Sequence, residues 1–276
     1  TLAAKCSKVN GVVNAISGLG GFFAEDNKGI LSKVMPIVLK FSHARKNILC
    51  IFQNDDDWGL YVKHGIIKYE QGRFIKGSGV SLEDFCYSPE PKEGKLKVIL
   101  TARMIVEKGI FLLTEAAERL RKKYGEKAEF LLIGGLDDHP GAITKEQLDA
   151  VCDRKYIQWL GYRTDVRELL KQCHIVAFPS YYMEGLPKSL IEADAIGRPI
   201  ITSNSVGCKE TVIDSENGFL IQPKDVDALT EKLDILLGDA ELRQKMGKAA
   251  RAYAEKYFDI KVVIERHLSI YNELVK

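Results

Sequence analysis

From residue 96 onward the sequence alternates between two periods, and no other feature narrows its fold as much. Short apolar runs rich in β-branched residues, such as LKVILTA at 96–102, give way to stretches of helical period and then return. The spacing predicts strands over 96–102, 129–133, 156–160, 174–178, 199–202 and 218–221. Helices are predicted over 108–124, 144–152, 165–172, 187–196, 226–237, 241–256 and 261–275. In the first of these, Leu112, Leu113, Ala116, Ala117 and Leu120 share one face. Strands joined through helices run parallel, because a parallel pair needs a long crossover, and the resulting sheet is covered on both faces. Residues 87–258 are therefore expected to form a doubly wound α/β domain with a parallel sheet. Ligands of such sheets gather outside the carboxyl ends of the strands. That directs attention to Thr101 and Arg103, Gly134-Gly135, Gly161, and Pro179-Ser180. Residues 1–86 carry a thinner version of the pattern, with strands at 12–16, 48–52 and 72–76 and an apolar helix among them. They are expected to be part of a second α/β unit.

Composition removes several function classes. A chain of 276 residues that is 46% hydrophobic is globular, and a net charge of +2 gives no general field for nucleic acid. The six cysteines (6, 50, 86, 152, 173 and 208) show neither C-x-x-C nor Cys/His spacing. This argues against a zinc site or a small disulfide framework and for reduced thiols in the cytoplasm. No run of 18 apolar residues and no signal peptide are present. The opening Thr1-Leu2-Ala3-Ala4 without a methionine suits a fragment or a processed form. Residues 1–50 hold seven Lys/Arg against two Asp/Glu, around the apolar stretch 30–41. Two readings of that segment stand: contact with an anionic membrane surface, or burial against another part of the domain. Pro36 is expected to interrupt any single smooth amphipathic helix there.

The densest chemistry lies between Phe178 and Ile221. Pro187 suits the first position of a helix, and Gly185 just before it permits a close approach of backbone to ligand. The free N–H groups of that helix end, with its positive dipole, favour an anion. Glu192 lies five residues beyond Pro187, about 7.5 Å along the axis. Glu184 and Glu192 thus reach different ends of one ligand, Glu192 accepting hydroxyls such as those of a ribose. The plainer alternative is a strand–loop–helix with two solvated glutamates. Arg103 and Lys108, after the strand at 96–102, have the fork and the point charge that hold a diphosphate. They could equally form surface ion pairs with Glu107 or Glu115. Gly77-Ser78-Gly79 and Gly134-Gly135 are turn signals, and the latter lacks the full G-x-G-x-x-G pattern, which disfavours a nicotinamide dinucleotide. Gly161 opens a helix that Thr164 or Asp165 could cap, and a base could dock on its backbone. His139 reads as loop surface, and no histidine pair has metal spacing.

Together these residues resemble the retaining glycosyltransferases of family 4, which have the GT-B fold, over nearly the whole chain from Val12. The motifs that carry the resemblance are Gly77-Ser-Gly-Val80, Arg103-x4-Lys108-Gly109, and Glu184-Gly-Leu-Pro187 with Glu192 completing E-x7-E. Gly197-x-Pro199, Gly207-x-x-Glu210 and Asn217-Gly218-x-Leu220-x-x-Pro223 continue it. SGLGGFF at 17–23 and FQNDDD at 52–57 are similar to the subgroup that builds capsular and O-antigen polysaccharides on a lipid carrier. The resemblance implies a complete C-terminal Rossmann-like domain (87–258), a partial N-terminal one (1–86) that serves the acceptor, and a last helix (259–276) crossing back to it. The activity it implies is retaining transfer of a hexose from a nucleotide sugar, often UDP-linked, to a lipid-linked or saccharide acceptor, in the cytoplasm or at the inner face of the membrane. No metal or other cofactor is implied. In that scheme Arg103 and Lys108 hold the diphosphate, Glu192 the ribose, and Glu184 faces the donor sugar. Gly185 and Leu186 offer backbone N–H groups, Glu210 belongs to the donor loop, and Gly79, Gly134 and Gly161 line the nucleotide. The family pattern also has a strand and Gly-rich loop ahead of Thr1, and a histidine where Gly18-Leu19-Gly20 stands. A truncated module that binds a nucleotide sugar without turnover is the alternative function.

Overall fold

The computed structural model describes residues 1, 3–4, 7, 9–19 and 30–275. Gly20 to Phe23 of the SGLGGFF stretch, Cys6 and Lys28 lie outside the described residues. Two parallel sheets are present. The first joins β1 (Val12–Ile16), β2 (Ile48–Phe52) and β3 (Gly72–Phe74) in that order, with α1 (Ile30–His43) and α2 (Asp55–Lys63) between them. β2 is buried on both sides by simple alternation. Ile48, Cys50 and Phe52 pack with Tyr61, Ile66 and Ile67, while Leu49 and Ile51 meet Ile75 and the apolar side of the last helix.

Two expectations for this half need correction. Pro36 lies inside α1 and does not end it. Leu39 packs on the β2 core, and the His43 ring bonds to Asn14 at 3.0 Å, so tertiary contacts hold the helix across the missing N–H. The helix α2 is absent from the periodicity because it opens on three aspartates. Its signal was chemical: Asn54 caps it by accepting the Asp57 N–H at 2.7 Å, and Asp55, Asp56 and Asp57 suit the positive end of the dipole.

The second sheet is six-stranded and wholly parallel, ordered β6-β5-β4-β7-β8-β9. Its strands are β4 (Leu96–Thr101), β5 (Ala128–Ile133), β6 (Ile157–Trp159), β7 (Ile175–Phe178), β8 (Ile200–Ser203) and β9 (Gly218–Ile221). The helices are α3 (Ile110–Tyr124), α4 (Lys145–Val151), α5 (Val166–Lys171), α6 (Lys188–Ile196), α7 (Val226–Gly238) and α8 (Ala240–Tyr257). The α/β expectation holds, with ends shifted by a residue or two, as helix fraying allows. From β4 the chain first builds outward through β5 and β6, then returns to lay β7 on the other side of β4. The reversal opens a crevice between β4 and β7, where a doubly wound sheet takes its ligand.

A final helix, α9 (Ile260–Val275), leaves the large unit and lies on the small sheet, burying Val263 and Ile270 against Leu49, Ile51 and Ile75. At about 1.5–3 kcal/mol for each fully buried aliphatic side chain, these contacts fasten the helix there. The crossing point is a short parallel bridge: Val80 N–H donates to the Phe258 carbonyl (2.8 Å) and Ile260 N–H to the Val80 carbonyl (3.0 Å).

Candidate active site

The β4/β7 crevice is built from two loops that hold each other. After β4 the chain passes Arg103 and makes a 3₁₀ turn, Val106–Lys108. After β7 it runs from Pro179 to Pro187. The Glu107 carbonyl accepts the Tyr181 N–H (2.9 Å) and the Ser180 hydroxyl (3.2 Å). That places Lys108, 7% exposed, where its ammonium donates to Glu184 Oε1. Ser180 Oγ lies 3.2 Å from the same carboxylate oxygen. The Tyr182 and Phe178 rings stand 4.8 and 5.8 Å from Lys108 Nζ, adding cation–π attraction on the apolar side. A lysine and a glutamate separated by 76 residues thus form a nearly enclosed ion pair at the switch point.

Arg103 takes another direction. Its guanidinium is more than half exposed and pairs with Asp137, beyond β5, at 3.0 Å. The alternative ion pairs with Glu107 or Glu115 do not form: Glu115 is bound by Arg119, and the partners of Arg103 and Lys108 are Asp137 and Glu184. Arg103 and Lys108 therefore sit on separate walls of the crevice mouth, each neutralised. The Asp137 carboxylate also accepts the His139 N–H (2.8 Å) and is held below the usual carboxylate range; burial opposes that shift, and the His139 N–H and Arg103 produce it. His139 is half-buried, with its ring edge-on to Tyr182 at 5.9 Å, so it belongs to this wall and is not free loop surface.

Gly134 and Gly161 end β5 and β6 side by side, the Gly134 N–H donating to the Gly161 carbonyl at 2.9 Å. A Cβ on Gly134 would fall 1.7 Å from the Ala102 carbonyl oxygen, so glycine is required there by the neighbouring strand. Gly161 faces open space, with Tyr162 beside it 78% exposed. The helix after Gly161 lacks the expected side-chain cap: Asp165 is at the cap position, but its carboxylate binds Arg163.

On the other side, α6 begins at Lys188 with Pro187 as its cap residue, one position earlier than expected for the proline. Leu186 is buried with Val80, Ile191, Ala195 and Phe258, so its side chain anchors the loop in the core. Glu192 lies one turn beyond Lys188. Burial raises its carboxyl above the usual range, and the Lys188 ammonium opposes the shift. Among the described residues Glu192 has no hydrogen-bond partner, whereas Glu184 has two. Deeper in α6, Asp194 is fully buried, accepts from Asn217 Nδ2 (3.1 Å), and is driven well above its ordinary range by burial.

Two predicted residues sit at the edge. Glu210 is in the 3₁₀ turn Lys209–Thr211, 3.6 Å from Lys76 Nζ, and its carbonyl accepts from the Tyr253 hydroxyl. Gly79 is not at the crevice: a Cβ there would lie 3.1 Å from Ile260 Cα, so its place is the docking of α9. The loops of the small sheet close the other side of the site, with Asn54 Nδ2 donating to the Gly185 carbonyl at 3.1 Å. The structure thus unites Lys108, Glu184, Gly185, Leu186 and Glu192 and leaves Gly79 apart. Ser180 is where the strand-end argument directs attention, whereas Asp137, Tyr182 and Asn54 are site residues that the sequence does not single out; Asn54 lies within the FQNDDD stretch but with no role attached to it.

Comparison with known proteins agrees with this geometry. The family model described as "Glycosyl transferases group 1" matches residues 87–253. The chain is 30% identical to the N,N'-diacetylbacillosaminyl-diphospho-undecaprenol alpha-1,3-N-acetylgalactosaminyltransferase of Campylobacter jejuni, over all of this chain and 74% of that protein. It is 26% identical to the capsular polysaccharide biosynthesis glycosyltransferase CapM of Staphylococcus aureus, over 74% of this chain and 55% of CapM. In structure it superposes on HepE of Anabaena in complex with UDP, with a TM-score of 0.80 and 16% identity over 95% of this chain and 72% of that one. The two facing parallel sheets are the GT-B architecture of such enzymes. The chain belongs to the group 1 glycosyl transferases.

Proposed function

We propose that this chain carries the donor site of a retaining hexosyltransferase that uses a UDP-sugar and extends a glycan carried on a polyprenyl diphosphate. The observation that carries the reading is the Lys108–Glu184 pair at the β4/β7 switch point, with Glu192 on the adjoining helix unpartnered among the described residues. UDP in the HepE complex and the undecaprenol-linked acceptor named for the Campylobacter relative support the choice of donor and acceptor.

In this reading Lys108 exchanges Glu184 for a diphosphate oxygen, Arg103 turns from Asp137 to the same group, and Glu192 accepts ribose hydroxyls. Glu184, released, faces the donor sugar, and the Gly185 and Leu186 amides lie at the end of α6. Gly134 and Gly161 border the nucleotide at the ends of β5 and β6, and Glu210 closes the donor loop. The acceptor oxygen attacks the anomeric carbon from the face that the leaving group departs. A bond forms from that carbon to the acceptor, the carbon–phosphate oxygen bond breaks, and the acceptor proton passes to the leaving phosphate. Charge growing on that phosphate meets fixed cations, so stabilisation requires little reorganisation. No metal or other cofactor takes part in this scheme.

No helix among the described residues is long and apolar enough to cross a membrane. The lipid carrier is reached instead by α1, whose outer face exposes Val34 (44%), Ile37 (69%) and Val38 (44%) beside Lys33 and Lys40. Such a face suits an anionic bilayer, where each basic residue contributes about 1 kcal/mol.

The nucleotide assignment is tested by titration calorimetry with UDP and with uridine. Glu192→Ala should weaken both by roughly 1.5–3 kcal/mol, as loss of charged hydrogen bonds requires. Arg103→Ala should damage UDP binding more than uridine binding. Unchanged affinity in Glu192→Ala, or equal losses for the two ligands in Arg103→Ala, would overturn the respective role.

A further inference from the structure

We propose that Asn54 is a positioning residue that fixes the Gly185–Leu186 peptide, directly after Glu184, from across the cleft, so that the three-stranded sheet helps to aim the Glu184 carboxylate. The inference rests on the reading that Glu184 faces the donor sugar. Asn54 follows β2 by two positions and is fully buried. Its Oδ1 accepts the Asp57 N–H at 2.7 Å, while Nδ2 donates to Asp57 Oδ2 at 3.0 Å and to the Gly185 carbonyl at 3.1 Å. Both amide hydrogens are used, and the pattern of one N–H and two acceptors fixes which way the amide points. Capping α2 needs only the oxygen, which Ser, Thr or Asp would also supply. The bond to Gly185, 131 residues away, lies outside that task.

The surroundings of Gly185 are shaped for the contact. A Cβ on Gly185 would sit 1.7 Å from the Ser17 carbonyl oxygen and 3.0 Å from Gln53 Oε1. Gly18 and Gly207 approach the two sides of Gly185 so closely that a Cβ on Gly18 would lie 2.8 Å from Gly185 N and one on Gly207 2.3 Å from Gly185 O. The loop is thus held at three successive residues: Glu184 by Lys108, Gly185 by Asn54 and Leu186 by the apolar core. The first turn of α2 makes a second link across the cleft, Asp56 to Lys209 at 2.7 Å, next to Glu210. Removing Asn54 from this arrangement frees the middle of the loop while leaving the nucleotide-contacting groups of the larger sheet in place.

The test compares this chain with Asn54→Ser, which keeps a capping oxygen for α2 and is too short to reach Gly185. Backbone hydrogen exchange in 181–187 should accelerate by about tenfold or more, confined to 184–186, through local opening. UDP affinity should stay within about twofold, while affinity for UDP-N-acetylgalactosamine, used as the probe because the Campylobacter relative is an N-acetylgalactosaminyltransferase, falls by about fivefold or more relative to UDP, because the sugar-facing group is no longer aimed. Asn54→Thr, which also keeps a capping oxygen and is too short to reach Gly185, should behave alike if Asn54→Ser does not fold. Unchanged exchange at 184–186, acceleration spread over the whole chain, or loss of UDP binding itself would each overturn the proposal. If instead the exchange result holds but Lys108→Met and Glu192→Ala bind UDP normally, the nucleotide reading fails and the loop contact stands.

Discussion

A double-mutant cycle on Lys108 and Glu184 separates what their pair does for the fold from what Lys108 does for a ligand. The two side chains are 9% and 12% exposed, so water screens them little. Lys108→Met leaves the Glu184 carboxylate enclosed with the Ser180 hydroxyl alone. Breaking a buried pair from one side costs about 3–5 kcal/mol, whereas replacing both charges by neutral groups of similar shape is often close to neutral. Adding Glu184→Gln to Lys108→Met should therefore restore most of the loss, giving a coupling of at least about 2–4 kcal/mol, to which the cost of Glu184→Gln alone adds. At about 2–4 °C per kcal/mol for a chain of this size class, Lys108→Met should melt on the order of 10 °C lower than the parent. The assay is thermal unfolding of the four proteins, with UDP calorimetry on the same samples. Binding should not recover with stability: Lys108→Met and the double variant should both lose about 10–150-fold in UDP affinity, the worth of a charged hydrogen bond. Additive stability losses would refute the enclosed pair, and full UDP affinity in the double variant would refute the phosphate role.

Three further perturbations follow from the same geometry. Gly185→Ala should destabilise by about 1–3 kcal/mol through overpacking against Ser17, while Gly161→Ala, with empty space around it, should cost only the left-handed backbone's 1–2 kcal/mol or so; a Gly185→Ala variant as stable as the parent would discredit the contact at Ser17. His174 is held neutral by burial, with Nδ1 accepting the Lys97 N–H and Nε2 facing the Pro91 carbonyl, and its pKa is lowered. Below about pH 6.5 the unfolded chain binds a proton that the folded one refuses, so this contribution to stability is lost as pH falls. His174→Gln should thus gain on the parent in melting temperature between pH 7 and pH 5; a constant difference across that range would contradict the assignment. For the membrane face, flotation with phosphatidylglycerol vesicles should retain the parent chain and release Ile37→Glu, and no difference between the two would remove α1 from that role.

Much of this architecture is visible in the linear sequence because it depends on local period. The expected bounds of β1, β2 and β9 coincide with the observed ones, and those of the remaining strands of the large sheet lie within a residue or two. α2 was missed because a helix that starts Asp55-Asp56-Asp57 hides its apolar side until Trp58 and Tyr61. Pro36 misled because sequence weighs one lost backbone bond and cannot see what Leu39 and His43 gain from the sheet. Gly79 was placed at the ligand because a left-handed glycine reads the same whether it meets a nucleotide or the start of α9.

What the chain by itself determined was the parallel α/β character, the strand ends at which chemistry gathers, and the placing of Glu184 and Glu192 on one loop and helix. Those are fixed within a few residues of backbone. Strand order decided the rest: only when β7 returns to lie beside β4 does Lys108 meet Glu184, while Arg103 falls to Asp137 on the far side of β4. The bond from Asn54 to Gly185 depends on where α9 seats one sheet against the other. Partners so far apart in sequence are chosen by packing, and packing is a property of the assembled surfaces, which no local pattern of residues records.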